Sequence, residues 1–144
     1  MLHAYVRNYL HITWSSKNRV RVLQSDSKIK LKDFIIEKSK EIQCPVLSIN
    51  TQPEHIHLLV DLPANICLSD LVQKIKGSSS HWINEKKLIG AKFSWQRGYG
   101  AFSVSASQLD VVKNYIRNQD EHHRRNSFEE EYNEWKRNYG FFDE

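Results

Sequence analysis

The sequence predicts an α+β fold in which four antiparallel strands and two helices follow one another in the order β, α, β, β, α, β. In residues 5–14 apolar and polar side chains alternate, and residues 46–61 contain mostly apolar segments, each of the length of a strand. Residues 27–41 and 69–83 repeat apolar side chains at helical spacing, and residues 93–104 read as short strands around a glycine bend. This order is the split βαβ arrangement of ferredoxin-like (RRM-like) domains. It predicts a sheet of four to five antiparallel strands with helices on one face, and an opposite face open to a ligand or partner.

Length and composition predict one globular domain spanning residues 1–144. A chain of 144 residues can bury a real core and is short for two domains. No apolar run approaches the roughly 20 residues that a membrane-spanning helix needs. The amino end has no apolar signal core, so we expect a cytoplasmic protein with two reduced cysteines, Cys44 and Cys67.

The charge is unevenly distributed along the chain. Residues 1–120 hold 17 Lys and Arg against 10 Asp and Glu, a net +7, whereas residues 121–144 hold 4 against 7, a net −3. The two parts sum to the formal net charge of +4. A basic body with an acidic tail favours a polyanionic partner such as nucleic acid.

The first strand and helix follow directly from the side-chain pattern. Strand 5–14 turns apolar side chains, ending with Trp14, to one face and aromatic and polar side chains, including His11, to the other. A polar, basic loop at 15–19 breaks the alternation. Apolar positions interleaved with lysines then predict an amphipathic helix over 27–41.

The next two strands carry a pair of histidines. Residues 46–50 form a strand, and the turn at 51–53 is short enough to give an antiparallel hairpin. Because side chains alternate across a strand, His55 and His57 share one face while the residues between and after them point to the core. Such a pair could hold one metal ion, but the pattern alone fits two solvated or core-edge histidines as well.

Two further helices and a strand region complete the chain. The second helix begins near Ser69, a suitable N-cap. Its middle, residues 74–80, is small, basic and hydroxylated, which suits either close approach to a phosphate backbone or a kinked surface turn. Capping patterns then begin a helix over about 107–124 and an acidic helix over about 128–139.

The helix over 107–124 carries a candidate nucleophile. Tyr115 and Gln119 lie one turn apart, so a helix laid across the histidine face brings a phenol and an amide oxygen to His55 and His57. This nitrogen and oxygen donor set suits Mg²⁺ or Mn²⁺ better than a closed zinc site. When a phenol attacks a phosphodiester, the covalent intermediate keeps the energy of the phosphodiester bond. The DNA strands can therefore be rejoined without a nucleotide cofactor. Two neighbours remain alternatives to Gln119 as a ligand: Asn118 and His122.

These segments together resemble a known family. The residues that carry the resemblance are 9–14 (YLHITW), 55–60 (HIHLLV), 76–79 (KGSS), 95–104 (WQRGYGAFSV) and 115–119 (YIRNQ), the last followed by His122 and His123. In this order and spacing they resemble the single-tyrosine HUH transposases of small bacterial insertion sequences (IS200-like), which include the domesticated relatives associated with repetitive palindromes.

The resemblance implies cleavage and rejoining of single-stranded DNA beside a hairpin, through a 5′-phosphotyrosine. It implies that Tyr115 is the nucleophile, that His55 and His57 are the metal pair and that Gln119 is the third ligand. It further implies a homodimer in which the tyrosine helix of one subunit can serve the histidines of the other, in a bacterial or archaeal cytoplasm. Whether the chain belongs to a mobile element or a domesticated gene stays open.

Basic, hydroxyl and imidazole side chains on the predicted loops and helices are candidates for contacts with DNA. Two other function classes remain open: a non-catalytic single-strand-binding module, which would not need Tyr115 and both histidines, and a metallohydrolase, for which Asp61 is wrongly spaced from His57. The candidate DNA contacts are His11, Lys17, Arg19, Lys74, Lys76, Ser78, Ser79, Arg97, Lys113 and Arg117.

Overall fold

The computed structural model describes residues 4–119 and 127–141. Its sheet contains four antiparallel strands in the order β2-β3-β1-β4. This is the ferredoxin-like order, in which β3 separates β1 from β2, so the predicted α+β fold class is confirmed. A single isolated bridge joins Ser16 to Trp95 beyond the end of β1. The strands are β1 (Tyr9–Ser15), β2 (Val46–Thr51), β3 (His55–Asp61) and β4 (Gly100–Ser103).

Two long helices cover one face of the sheet. Helix α1 spans Ser25–Ile42 and helix α2 spans Leu68–Glu85. Their apolar stripes pack against every second side chain of β1 and β3, because those side chains point to the same face. The core includes Ile12, Trp14, Leu31, Ile35, Ile56, Leu58, Leu71 and Ile75.

Two shorter helices lie across the opposite face, which differs from the expectation that this face would be open. Helix α3 spans Leu109–Arg117 and contacts β2 and β3, and the Ser48 hydroxyl donates a hydrogen bond to the Lys113 carbonyl oxygen at 3.3 Å. Helix α4 spans Phe128–Asn138. Its aromatic residues recur at helical spacing and need a surface to bury against, and the sheet provides it.

Some predicted helix ends are wrong. The N-cap of α2 is Cys67 rather than Ser69, and residues 74–80 continue the helix without a kink. Helix α3 follows a 3₁₀ turn at Ala106–Gln108, so its N-cap is Gln108 and the capping pattern at 107–110 is not used. Helix α3 ends at Arg117 with Asn118 as its C-cap, short of the predicted end near 124, and residues 120–126 lie outside the described residues.

The start of α4 is as the sequence predicts. The Ser127 hydroxyl accepts a hydrogen bond from the Glu130 backbone N–H at 3.1 Å, which satisfies one donor of the first helical turn. Three glutamates in that turn also suit the positive end of the helix dipole. Among residues 4–119 and 127–141, no helix is long and apolar enough to cross a membrane.

Candidate active site at the histidine pair

The histidines of β3 point their Nε2 atoms at each other. His55 and His57 are both fully buried, and their Nε2 atoms are 3.1 Å apart with the rings nearly perpendicular at 85°. The side chain between them, Ile56, lies in the core on the other face of the sheet. Burial of Ile56 in the core holds the strand in place, so the two imidazoles are fixed on its other face, as the alternation of side chains predicted.

The separation of the two nitrogens fits one divalent ion. Two ligand nitrogens each about 2.1 Å from an ion, at an octahedral angle of about 90°, lie about 3.0 Å apart. Within the described ranges, no group of three or more His, Cys, Asp or Glu side chains is arranged to hold a metal. Side chains with amide oxygens are a further class of ligand for such an ion.

Gln119 offers such a ligand. Its side chain is fully buried, and its amide N–H groups donate to the Tyr115 carbonyl oxygen at 3.4 Å and to Glu131 Oε1 at 3.3 Å. Its oxygen, Oε1, has no hydrogen-bond partner among the residues that the structure describes. A buried acceptor without a partner is costly, and an amide oxygen is a good ligand for Mg²⁺ or Mn²⁺. The role of Gln119 as a ligand stays a prediction, and its alternative His122 lies outside the described residues.

Glu131 of α4 reaches the same place and was missed by the sequence analysis. Its Oε1 lies 3.9 Å from His57 Nε2. Burial, with the nearby Glu134, raises the pKa of the Glu131 carboxyl to about 7. The signal in the sequence is that Glu131 falls on the aromatic stripe of an acidic helix, between Phe128 and Trp135, instead of on its charged face.

Two more buried groups hold the outer nitrogens of the pair. Glu54 Oε1 lies 2.6 Å from His55 Nδ1, and its other oxygen accepts a hydrogen bond from Arg21 at 2.9 Å. His11 Nε2 lies 2.9 Å from His57 Nδ1. Burial lowers the pKa of His11 to about 4, so the ring is neutral near pH 7.

The phenol of Tyr115 lies beside the pair within the same chain. Its ring is half-buried, with its centroid 6.3 Å from that of His57 and 6.5 Å from that of His11. Trp135 of α4 packs edge-on against it at 5.8 Å. The described chain therefore brings together the four residues predicted for the centre: Tyr115, His55, His57 and Gln119.

Helix α4 covers this centre. The Phe128 ring stacks on His55 with centroids 4.0 Å apart, and Trp135 packs edge-on against His57 at 5.3 Å. Together with the sheet, these contacts remove both histidines from solvent. A DNA phosphate can reach their nitrogens only if α4 moves.

The close fit of α4 depends on Gly100. A Cβ added there would lie 2.8 Å from the Tyr132 ring and 3.1 Å from the Phe102 ring. We expect Gly100→Ala to push Tyr132 away and to destabilise the protein by about 1–3 kcal/mol, the usual cost of overpacking. Urea unfolding measures the loss, and limited trypsin cleavage at Lys136 reports release of α4.

Gly77 provides the matched control for Gly100. It lies in the exposed interior of α2, and a Cβ there has nothing within 4 Å. Gly77→Ala should raise the free energy of unfolding by up to about 1 kcal/mol, because alanine favours a helix. Equal unfolding and trypsin cleavage of Gly100→Ala and the wild type would contradict the proposed packing.

A cavity of about 420 Å³ opens next to the covered histidines. The loop on one side holds two residues in the left-handed region, Asn18 at φ 58° and Arg19 at φ 55°. It is tied to the facing loop by Asn18 N–H, which donates to Gln96 Oε1 at 2.8 Å. Strained backbone held in this way is common at ligand sites. The lining combines cationic and aromatic side chains: Arg19, Arg97, Tyr99, Phe128 and Tyr132.

Several of the side chains predicted to contact DNA are buried or form hydrogen bonds within the protein instead of being exposed to solvent. His11 is buried, and Ser79 is buried and accepts a hydrogen bond from Trp95 Nε1 at 2.9 Å. Ser78 donates to the Lys74 carbonyl oxygen at 2.6 Å. Lys76 donates to the carbonyl oxygens of Gln96 at 2.7 Å and Gly98 at 2.8 Å, and burial lowers its pKa. The periodicity of a strand or helix predicts on which face of that element a side chain lies, but it does not predict which other residues pack against that face.

The remaining candidates are available at the surface. Arg19 is exposed, but it pairs with Glu129 of α4 at 3.4 Å and lies over the Phe128 ring. Lys113 on α3 is half-buried. The fully exposed candidates are Lys17, Lys74, Arg97 and Arg117.

This fold and site define a class of protein: a ferredoxin-like domain with two converging imidazoles and a tyrosine on one face of its sheet. The chain belongs to the IS200-like transposase family, because residues 4–119 match the family model described as "Transposase IS200 like". It is 26% identical over 115 residues to the ISDra2 transposase TnpA of Deinococcus radiodurans, over 76% of this chain and 81% of that protein.

Two solved structures share the fold. One is a crystal structure of a Deinococcus radiodurans protein assigned as a transposase, with a TM-score of 0.65 and 23% identity over 83% of this chain and 96% of that one. The other is a REP-associated tyrosine transposase bound to a REP hairpin, with a TM-score of 0.65 and 18% identity over 85% of this chain and 73% of that one.

Proposed function

We propose that this protein cleaves and rejoins single-stranded DNA at hairpin-flanked ends, with Tyr115 as the nucleophile. The observation that carries the proposal is the Tyr115 ring beside the converging Nε2 atoms of His55 and His57. Family membership supplies the substrate class, because transposases act on DNA. The neighbour bound to a REP hairpin supports a hairpin as the partner.

In this proposal, three residues bind the metal ion and a fourth is the nucleophile. His55, His57 and Gln119 would hold Mg²⁺ or Mn²⁺. When bound, such an ion polarises a phosphate and stabilises the charge that develops on it. Tyr115, whose phenol class has a pKa of about 10, attacks the phosphorus. Its phenol loses its proton and its oxygen forms the new O–P bond as the bond to the 3′ oxygen breaks; the 3′ oxygen takes up a proton, which leaves a 5′-phosphotyrosine and a free 3′ hydroxyl.

The surface supports a single-stranded substrate. The cavity lined by Arg19, Arg97 and Tyr99 offers cations for phosphates and an aromatic face for an unpaired base. Helix α4 contributes Glu129, which pairs with Arg19 of this cavity at 3.4 Å. We propose that DNA displaces α4, since a polyanion competes for the same cations.

The cleavage assay uses labelled oligonucleotides that carry any imperfect palindromes found in the DNA flanking the gene. With Mg²⁺ or Mn²⁺ we expect an SDS-stable adduct on the single-stranded hairpin, and none in EDTA or on the fully paired duplex. Hairpin binding without an adduct would favour the alternative, a non-catalytic single-strand-binding module. Scattered palindromes in the genome would instead favour a domesticated palindrome-processing relative with the same chemistry.

Gln119 as third ligand makes a separate prediction. We expect Gln119→Ala to weaken Mn²⁺ binding by about 10-fold or more, because the ion loses its protein oxygen ligand. Titration followed by electron paramagnetic resonance measures the affinity. Gln108→Ala is the control, since Gln108 lies at the far end of α3. If Gln119→Ala binds Mn²⁺ as tightly as the wild type, Gln119 is not the third ligand.

We propose a homodimer, which the family resemblance implies. Sedimentation at micromolar concentration should give a dimer, and a fully active monomer would contradict it. Sharing of the site between subunits is tested by mixing Tyr115→Phe with His57→Ala. Because Tyr115 lies beside His57 of its own chain, we expect no adduct from the mixture. An adduct would show that one subunit can supply the tyrosine for its partner.

The organisation and location of the protein are also proposals. We propose that residues 1–144 form a single transposase domain, because the family model already spans most of the chain. We place the protein in a bacterial or archaeal cytoplasm, where its DNA substrate lies.

A further inference from the structure

Both histidines of the pair have a buried partner at the nitrogen that faces away from the other ring. Glu54 Oε1 lies 2.6 Å from His55 Nδ1, and His11 Nε2 lies 2.9 Å from His57 Nδ1. All four side chains are at least nine-tenths buried. An ionised carboxylate can only accept, so the contact with Glu54 places a proton on His55 Nδ1.

The two Nε2 atoms impose a second condition. Two nitrogen lone pairs do not face each other at 3.1 Å, so a proton or a cation must lie between them. A metal ion there needs both Nε2 lone pairs, which requires each ring to carry its proton on Nδ1. His57 then donates its Nδ1 proton to His11 Nε2, and His11 must carry its own proton on Nδ1.

We propose that Glu54 and His11 are positioning residues: Glu54 holds a proton on Nδ1 of His55, and His11 accepts the Nδ1 proton of His57 when a metal ion is bound, so that both Nε2 lone pairs converge on that ion. This inference rests on the metal pair of the proposed function. Neither residue touches the ion or the substrate. Their effect passes through the orientation and tautomer of the two ligands.

Both partners are fixed in place. The Arg21 guanidinium donates to Glu54 Oε2 at 2.9 Å, which holds the carboxylate toward His55. The His11 ring packs edge-on against Trp135 with centroids 4.9 Å apart, and it lies tilted against Phe102 at 6.2 Å. His11 differs from Glu54 in one respect: a neutral imidazole can donate or accept at Nε2. It can therefore follow the tautomer of His57 when the ion replaces the proton.

Nitrogen-15 NMR of the imidazoles tests the proposal directly. The probe is Zn²⁺, a diamagnetic ion that binds imidazole, added to the ¹⁵N-histidine-labelled full chain. At saturation we expect protons on Nδ1 of His55, His57 and His11, with Nε2 unprotonated in all three rings. A proton that stays on Nε2 of His57 in excess Zn²⁺, or an unprotonated Nδ1 on His55, overturns the inference. The adduct assay with Mg²⁺ or Mn²⁺ judges the proposed function separately.

Paired substitutions at His11 separate positioning from packing. The oxygen of His11→Gln can still accept from His57 Nδ1, whereas His11→Phe fills the aromatic site but cannot. We expect calorimetry to show Zn²⁺ affinity near that of the wild type for His11→Gln and roughly 10- to 100-fold weaker binding for His11→Phe. The reverse order would mean that His11 only packs.

Glu54 gives the same comparison. Glu54→Gln keeps an acceptor for His55 Nδ1 and should bind Zn²⁺ more tightly than Glu54→Leu, which keeps none. Equal affinity of Glu54→Leu and the wild type would overturn the role of Glu54. The matched controls are exposed residues of α1 and α2, Glu37→Gln and His81→Phe, which should not change the affinity. The NMR measurement uses the wild-type protein, so it tests the proposed positions of the protons even if a substituted protein fails to fold.

Discussion

Tyr115→Phe is expected to abolish the covalent adduct with hairpin DNA while hairpin binding stays as in the wild type. The substitution removes one oxygen atom from a half-buried ring and leaves its packing against Trp135 in place. Loss of a nucleophile lowers the rate by roughly 10³- to 10⁶-fold. Denaturing gels of the labelled oligonucleotide measure the adduct, and fluorescence anisotropy measures binding.

Tyr5→Phe is the matched control for Tyr115→Phe. Tyr5 is almost fully exposed, precedes β1, and is not among the residues that line the adjacent cavity. It should form the adduct at close to the wild-type rate. An adduct from Tyr115→Phe at that rate would show that another residue attacks the phosphate.

His57→Ala is expected to lose cleavage by at least about 100-fold and to retain hairpin binding, because one of two convergent ligands is gone. The side chain is fully buried, so the substitution also leaves a cavity and removes the partner of His11. Circular dichroism during thermal unfolding separates this loss of stability from loss of chemistry.

Two comparisons make the His57 result decisive. His57→Asn keeps a polar side chain in the same place and should fold better than His57→Ala while cleaving as poorly. His81→Ala, on the exposed face of α2, should leave both properties unchanged. If every His57 variant fails to fold, or if a folded variant cleaves normally, the histidine is structural and the metal assignment is wrong.

The central residues of the site could be predicted because they depend on local periodicity. Alternation along β3 places His55 and His57 on one face. The predicted spacing of four residues brings Gln119 near Tyr115, although Gln119 lies just past the end of α3. Which strands and helices come together was predicted from their order. The structure brings these four residues together as that reasoning requires, although their roles remain proposals.

The surroundings of the site could not be predicted in the same way. The sequence predicted α4 as an acidic helix but not where it packs, whereas in the structure its Phe128, Tyr132 and Trp135 face the sheet and bring Glu131 with them. His11 was predicted as a DNA contact, because alternation identifies its face but not the helix that covers it. Contacts between residues distant in sequence determine both, because the aromatic stripe of α4 shows that one face is buried but not which surface buries it.

Mass spectrometry of the trapped adduct tests the central claim most directly. The wild-type protein is incubated with its hairpin oligonucleotide and Mg²⁺ or Mn²⁺, treated with nuclease and digested with trypsin, which cuts after Lys113 and Arg117. The account predicts that the peptide of residues 114–117 carries a nucleotide through its 5′ phosphate on Tyr115. A nucleotide on any other peptide, or cleaved DNA with no modified peptide, would contradict it.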